Sequence, residues 1–247
     1  AAARRSLRLF ANADAWNLAR RGARFAAELA EPVRTCTLVE LAEVQYAARR
    51  PPDKAAATAA MRSLAEHATD VGAMSHARRA FHVAAYASWE SGGFTEAERH
   101  MRDAERVSQG VDEAERVQAM AEAARCLTML ERDLDHAHAL ALEAAVRGRH
   151  RAIENPATFD ALGLLALHRG LFDEARQRFE EAHALARIAR NHHDEFSALE
   201  HLVMVELDVG DLPAARTRAR ELATFGERFR EGSEAPFARA LVALTDR

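Results

Sequence analysis

Lysine is almost missing from this 247-residue chain. Lys54 is the single example, and arginine carries nearly all the positive charge, a bias we read as GC-rich coding without functional content. Cysteine is nearly as scarce. Cys36 and Cys126 are the only two, too few and too far apart for the disulfide framework of a secreted domain, so reduced thiols and a cytoplasmic location are expected. No apolar run approaches the length of a bilayer-spanning helix, and the Arg-rich start has neither the apolar core nor the cleavage site of a secretory signal; no membrane contact is expected. A net charge of -4 and a pI near 6.3 argue against a primary nucleic-acid surface, which would show a basic excess on one face.

Catalytic signatures are missing as well. The sequence has no Gly-rich phosphate loop, no G-x-S-x-G elbow, no H-E-x-x-H helix and no C-x-x-C pair, so neither an enzyme nor a cofactor is expected. The densest group of metal-ligand types is Asn191-His192-His193-Asp194-Glu195. Neighbours on a helix diverge by about 100°, so His192 and His193 cannot converge on one ion unaided, and a solvated hairpin loop with acids near a helix start accounts for the run. His136-x-His138 diverges in the same way. His168, His183 and His201 are isolated and need only surface or groove positions.

Proline (6), glycine (11), tryptophan (2) and tyrosine (2) are few, whereas alanine makes up roughly a quarter of the chain and Arg and Glu dominate its charges. This is helix-forming composition, and no alternating pattern with hairpin turns competes with it. Helices are expected over 1–11, 14–30, 33–49, 53–68, 73–91, 94–109, 112–131, 134–149, 156–169, 172–190, 193–209, 212–229 and 234–245. Asp14 is read as a cap, and Asn155-Pro156 as a cap before a first-turn proline. Gly110, Gly170 and Gly210 are read as left-handed C-terminal stops.

One residue type recurs at a nearly fixed interval. Ala19, Ala57, Ala97, Ala137, Ala175 and Ala215 are separated by 38, 40, 40, 38 and 40 residues. Such a period marks a solenoid, in which each unit buries its apolar face only when a neighbour stacks on it. No linker or low-complexity tract interrupts the array, so one domain over 1–247 is expected. The chain opens at Ala1 inside an apparent helix and closes in another, which reads as a piece of a larger protein.

The clearest unit is Phe159-x2-Leu162-Gly163-x6-Gly170-x-Phe172-x2-Ala175-x3-Phe179-x2-Ala182. It resembles the tetratricopeptide repeat. The second-helix half of the pattern continues in Gly93-Phe94-x2-Ala97-x3-Met101-x2-Ala104, in Gly210-x-Leu212-x2-Ala215-x3-Ala219-x2-Leu222, in Leu134-x2-Ala137-x3-Ala141-x2-Ala144 and in Trp16-x2-Ala19-x3-Ala23-x2-Ala26. Ala57-x3-Met61-x2-Leu64 is the most degraded. The period exceeds the family's usual 34 by four to six residues. In that respect the chain is similar to the sensor arms of bacterial signal-transduction ATPases and of maltose-regulator-type transcription activators.

The resemblance implies an all-α fold of antiparallel hairpins stacked into a right-handed superhelix of about six repeats, with a ligand held on the concave wall of first helices. Counting back from the alanines, the resemblance places five triplets on that wall. They are Ala42, Tyr46, Arg49; His82, Tyr86, Trp89; Glu122, Cys126, Met129; Asp160, Leu164, Leu167; and Glu200, Met204, Leu207, with Arg50 and Arg79 nearby. The N-terminal part of this wall is aromatic and basic. The C-terminal part is a carboxylate ladder of Glu122, Asp160 and Glu200 above apolar residues, suited to a basic segment by charge complementarity. The same aromatics at helical spacing also suit packing between helices. Trp16, Phe94, Phe172 and Phe179 are assigned to packing. The expected partner is a protein or peptide segment or a small effector. The alternative is a purely architectural arm that packs on its own flanking regions or on another copy.

Overall fold

The computed structural model describes residues 1–48, 51, 53–229 and 234–246. The described residues form thirteen α-helices and no strand: α1 (Ala2–Arg8), α2 (Asn12–Ala26), α3 (Val33–Ala48), α4 (Lys54–Asp70), α5 (Met74–Glu90), α6 (Phe94–Val107), α7 (Glu113–Met129), α8 (Leu134–Arg151), α9 (Pro156–His168), α10 (Phe172–Ala189), α11 (His192–Val209), α12 (Leu212–Gly226) and α13 (Glu234–Thr245). None is long and apolar enough to cross a membrane. Each packs on the next, making an all-α array of helical hairpins. The odd-numbered helices from α1 to α11 also touch one another in sequence, with no comparable contact along the even row. Helices that meet along their row lie on the inside of the bend, so the odd row lines the concave wall.

The repeating alanines set these approaches. Ala19, Ala97, Ala137, Ala175 and Ala215 are fully buried, because a methyl side chain lets two backbones come close. Ala57, in the degraded unit, is half-buried, and Met61, Ala65 and Ala68 fill its place in the core. Gly163 takes the logic further: a methyl group there would lie 2.5 Å from Phe179 Cε1, and Phe179 is completely buried.

Helix ends follow local chemistry. Asn155 Oδ1 accepts from the Ala157 N–H at 2.9 Å, ahead of Pro156. Gly170 and Gly210 adopt φ of 70° and 84°. Three readings need correction. Asp14 does not cap α2; the helix starts earlier, at Asn12, after Ala11, and Asp14 lies in its first turn. Gly110 ends a short 3-10 turn (Ser108–Gly110) and is not left-handed. Phe94 is 49% exposed. It is the first residue of α6, and its counterpart Leu212 on α12 is 50% exposed, whereas Trp16, Leu134 and Phe172 at the same repeat position pack against the core.

The array also meets itself. Helix α1 stops at Arg8, short of the expected 11, and Phe10 turns into the left-handed region (φ 56°). Its ring stacks on His192 with centroids 3.9 Å apart and meets Phe229 edge-on at 5.1 Å. His192 Nε2 donates to the Arg8 carbonyl at 3.1 Å, and the Arg228 guanidinium lies 4.3 Å from the Phe10 ring centroid. A bulky residue at positive φ is strained by roughly 1–3 kcal/mol, so this clasp must return more than that.

Two outcomes are expected. Gly163→Ala destabilises by about 1–3 kcal/mol through overpacking, and Phe179→Leu in the same chain recovers most of the loss; equal urea midpoints for wild type and Gly163→Ala would refute the contact. Phe10→Ala removes a partly buried ring, lowers stability by about 1–2 kcal/mol and raises the radius of gyration in X-ray scattering; a superimposable curve would mean that the clasp does not hold the turn.

Candidate functional site

Helix α5 crosses the middle of the concave wall. Consecutive residues on it point apart by about 100°, so Arg78 and Arg79 reach opposite neighbours. Arg79 forks onto Glu43 of α3, with Nε donating to Oε1 at 2.7 Å and a terminal nitrogen closing on Oε2. Arg78, 1% exposed, pairs with Glu122 of α7. His82, one turn along, places Nδ1 3.0 Å from the same carboxylate, and Gln118 Nε2 donates to its other oxygen at 2.8 Å. Burial by itself would raise the Glu122 pKa, but His82 and Arg78 outweigh it and hold the group well below the usual carboxylate range. A carboxylate only accepts, so Nδ1 of His82 carries the proton.

Between these two pairs lies a cavity of about 480 Å3, within the span of small-ligand pockets. Helix α1 covers one side with Arg4 and Leu7; α3 adds Glu43, Val44 and Ala47; α5 forms the floor; and α7 closes the far side with Glu115, Gln118 and Glu122. Arg4 lies 3.4 Å from Glu43. Glu115 accepts from the Ser75 hydroxyl at 2.5 Å.

Beyond the cavity the wall is filled by its own side chains. Arg125 of α7 reaches over α9 to Asp194 in the first turn of α11, Nη1 to Oδ1 2.7 Å, with both side chains nearly buried. The Arg125 guanidinium lies 5.8 Å from the Tyr86 ring centroid, and Tyr86 meets His82 edge-on at 4.9 Å. Burial raises the Tyr86 phenol, which stays protonated. Asp160 of α9 and His201 of α11, both buried, pair at 2.8 Å.

The expected wall residues therefore separate. Arg79, His82 and Glu122 line the cavity, and Tyr86 and Asp160 join the filled polar centre. Leu164 is buried, and Leu167 and Met129 pack with Phe179 and Leu202. Trp89 packs against the largest core cluster. Tyr46 stands apart, its hydroxyl donating to Glu90 at 2.7 Å. Met204 is 38% exposed, and Arg49 and Arg50 lie outside the described residues.

The open carboxylate ladder is corrected. Glu122 and Asp160 are engaged internally, because the odd helices converge closely enough for cations on neighbouring helices to reach them. Glu200 has no hydrogen-bond partner among the described residues, and burial raises its pKa. The histidine run near 192 is structural: His192 belongs to the clasp, and Asn191 caps α11 through the Asp194 N–H. His201, read as a surface or groove residue, is buried. Sequence reasoning missed Arg4, Glu43, Glu115 and Arg78 at the cavity. Glu43 and His201 follow Ala42 and Glu200 directly, so the usable arc of each helix is wider than the triplet. Cys36 and Cys126 are free, and burial pushes the Cys126 thiol up to about 12.

The Asp160–His201 pair predicts a pH dependence. Burial lowers the His201 imidazolium, but the Asp160 carboxylate more than compensates, aided by Glu200 and opposed by Arg125, so the folded pKa is above 6.5. A raised histidine pKa contributes stability that is complete below about 6.5 and lost as pH rises through the folded value. Asp160, also penalised by burial, is lowered by His201; its share is present above about 3.9 and lost in acid. Urea unfolding of wild type and His201→Gln from pH 5.5 to 9 should show the gap between them narrowing above pH 6.5. A constant gap would refute the charged pair.

No family model matches the sequence, and no curated protein matches it either. Among solved structures, the chain is similar to the crystal structure of BtubC (BKLC) from P. vanneervenii, with a TM-score of 0.60 over 94% of this chain and 91% of that one at 18% identity. At that identity the likeness shows the fold alone: an all-helical, repeat-like array.

Proposed function

We propose that this chain is a non-enzymatic, tetratricopeptide-like binding arm of a bacterial signalling or transcription-regulatory protein, and that it holds a short ligand in the cavity between α1, α3, α5 and α7. The observation that carries this reading is the uneven filling of the concave wall. A 480 Å3 space remains over α5, while the stretch from Tyr86 to His201 is closed by buried ion pairs. An extended protein segment running the length of the wall would have to break Arg125–Asp194. A short peptide or small effector over α5 would not.

The tetratricopeptide assignment rests on the Leu162-Gly163 and Ala175-x3-Phe179 packing, where the glycine receives the ring as the repeat pattern requires. A purely architectural arm is the second reading. Leu9 and Phe25, each 67% exposed at opposite ends of α2, favour it, since exposed large apolar side chains suit a packing partner.

Ala47 offers a direct test. It is exposed and lines the cavity, so Ala47→Trp fills the space without disturbing a buried residue. Fractionated lysate of the source organism should raise the melting temperature of wild type and leave Ala47→Trp unmoved, with the bound species identified by mass spectrometry. Equal shifts in both proteins would move the ligand elsewhere. No shift in either would leave the architectural reading in place.

A further inference from the structure

We infer that the cavity over α5 takes a small zwitterion, a free amino acid or dipeptide with a small aliphatic side chain. This deepens the short-ligand reading above and rests on it. The lining contains three guanidinium groups, Arg4, Arg78 and Arg79, and three carboxylates, Glu43, Glu115 and Glu122. A phosphate or another multiply charged anion would face all three carboxylates, and a divalent cation all three guanidiniums. A ligand with one charge of each sign meets neither penalty.

The pairing inside the cavity shows where each charge would be received. Glu43 is satisfied by the Arg79 fork and Glu122 by Arg78, which are short and direct. Arg4 is the most weakly held cation, its one hydrogen bond, to Glu43, being long. It sits on α1 at 3.4 Å from Glu43 and 3.7 Å from Glu40, and its side chain is 42% exposed. Glu115 is the carboxylate left over. Oε1 accepts from Ser75, and Oε2 is buried with no hydrogen-bond partner among the described residues. A buried carboxylate oxygen without a donor is costly and calls for one.

His82 adds a second unmet group: Nδ1 is turned to Glu122, and Nε2 is buried without a partner. The ligand's carboxylate therefore belongs on the Arg4 side and its ammonium on Glu115. Leu7, Val44, Ala47 and Val83 supply the apolar surface, enough for a side chain the size of alanine or valine. Two residues span at most ~7 Å when extended, which suits a space of this volume.

The test uses Ala-Val with free ends, N-acetyl-Ala-Val and Ala-Val-amide, titrated into the full chain by calorimetry at low salt. The free dipeptide should bind at least about tenfold more tightly than either capped form, since each cap removes one charge-assisted contact. Arg4→Gln should abolish discrimination against the amide only, and Glu115→Gln discrimination against the acetyl form only, with circular dichroism verifying that both variants fold. Equal affinity for all three peptides would overturn the zwitterion and leave cavity binding standing. So would silence towards every dipeptide while a lysate ligand is lost in Ala47→Trp. Silence towards the dipeptides and an indifferent Ala47→Trp would overturn both.

Discussion

Helix pairs in this array meet across side chains no larger than a methyl group at the repeat positions. The distance between two helix axes is set by what stands between them, and alanines at 38- to 40-residue intervals, all but Ala57 fully buried, fix it at the short end. Close approach on the inner row means strong curvature. The odd helices converge until a side chain on α7 reaches one on α11, and the α1–α2 turn meets the helices α11 and α12. Curvature, filled wall and clasp are consequences of one packing distance, repeated.

Convergence brings charged side chains into low-dielectric surroundings, where a pair is costly to bury and costlier to break, about 3–5 kcal/mol when one partner is lost. The chain meets this with reciprocal pairs between neighbouring odd helices, Arg79–Glu43, Arg78–Glu122 and Asp160–His201. Such pairs fix register: slipping one helix by a residue rotates a partner away by about 100° and strands a buried charge. The polar wall thus specifies how the repeats stack, and the alanines supply the closeness. The groups the pairing holds loosely or leaves unmet, Arg4 with its one long hydrogen bond to Glu43, Glu115 Oε2 and His82 Nε2, belong to residues that line the open space.

The helices were legible because their boundaries are written in short-range chemistry. Asn155-Pro156, Gly170 and Gly210 act within a turn of where they stand, and the alanine period reports packing directly. The end of α1 was not legible, since Phe10 leaves the helix for partners more than 180 residues away. A large apolar residue at a repeat position reads as core, yet Phe94 is half exposed while Phe172 at the equivalent place packs against the core, a difference made by the neighbouring helices. Of the residues expected on the concave wall, Arg79, His82 and Glu122 line the cavity. Its chemistry was hidden because an unpaired carboxylate oxygen is a property of four helices at once. Glu122 and Glu200 look alike in sequence, yet one is held by Arg78 and His82 and the other has no hydrogen-bond partner among the described residues.

Helix α1 connects the cavity to the clasp. Its seven residues present Arg4 and Leu7 to the open space and, through the Arg8 carbonyl and Phe10, the contact with α11 and α12. A group bound against Arg4 and a group holding Phe10 act on the same short element. Two contacts that share an element are thermodynamically linked: whatever orders α1 from one side lowers the cost of ordering it from the other. The left-handed backbone at Phe10 sharpens this linkage, because its strain is offset only while the aromatic stack holds. Closure of the array is therefore a property of its first helix, and the cavity over α5 lies directly beneath that helix.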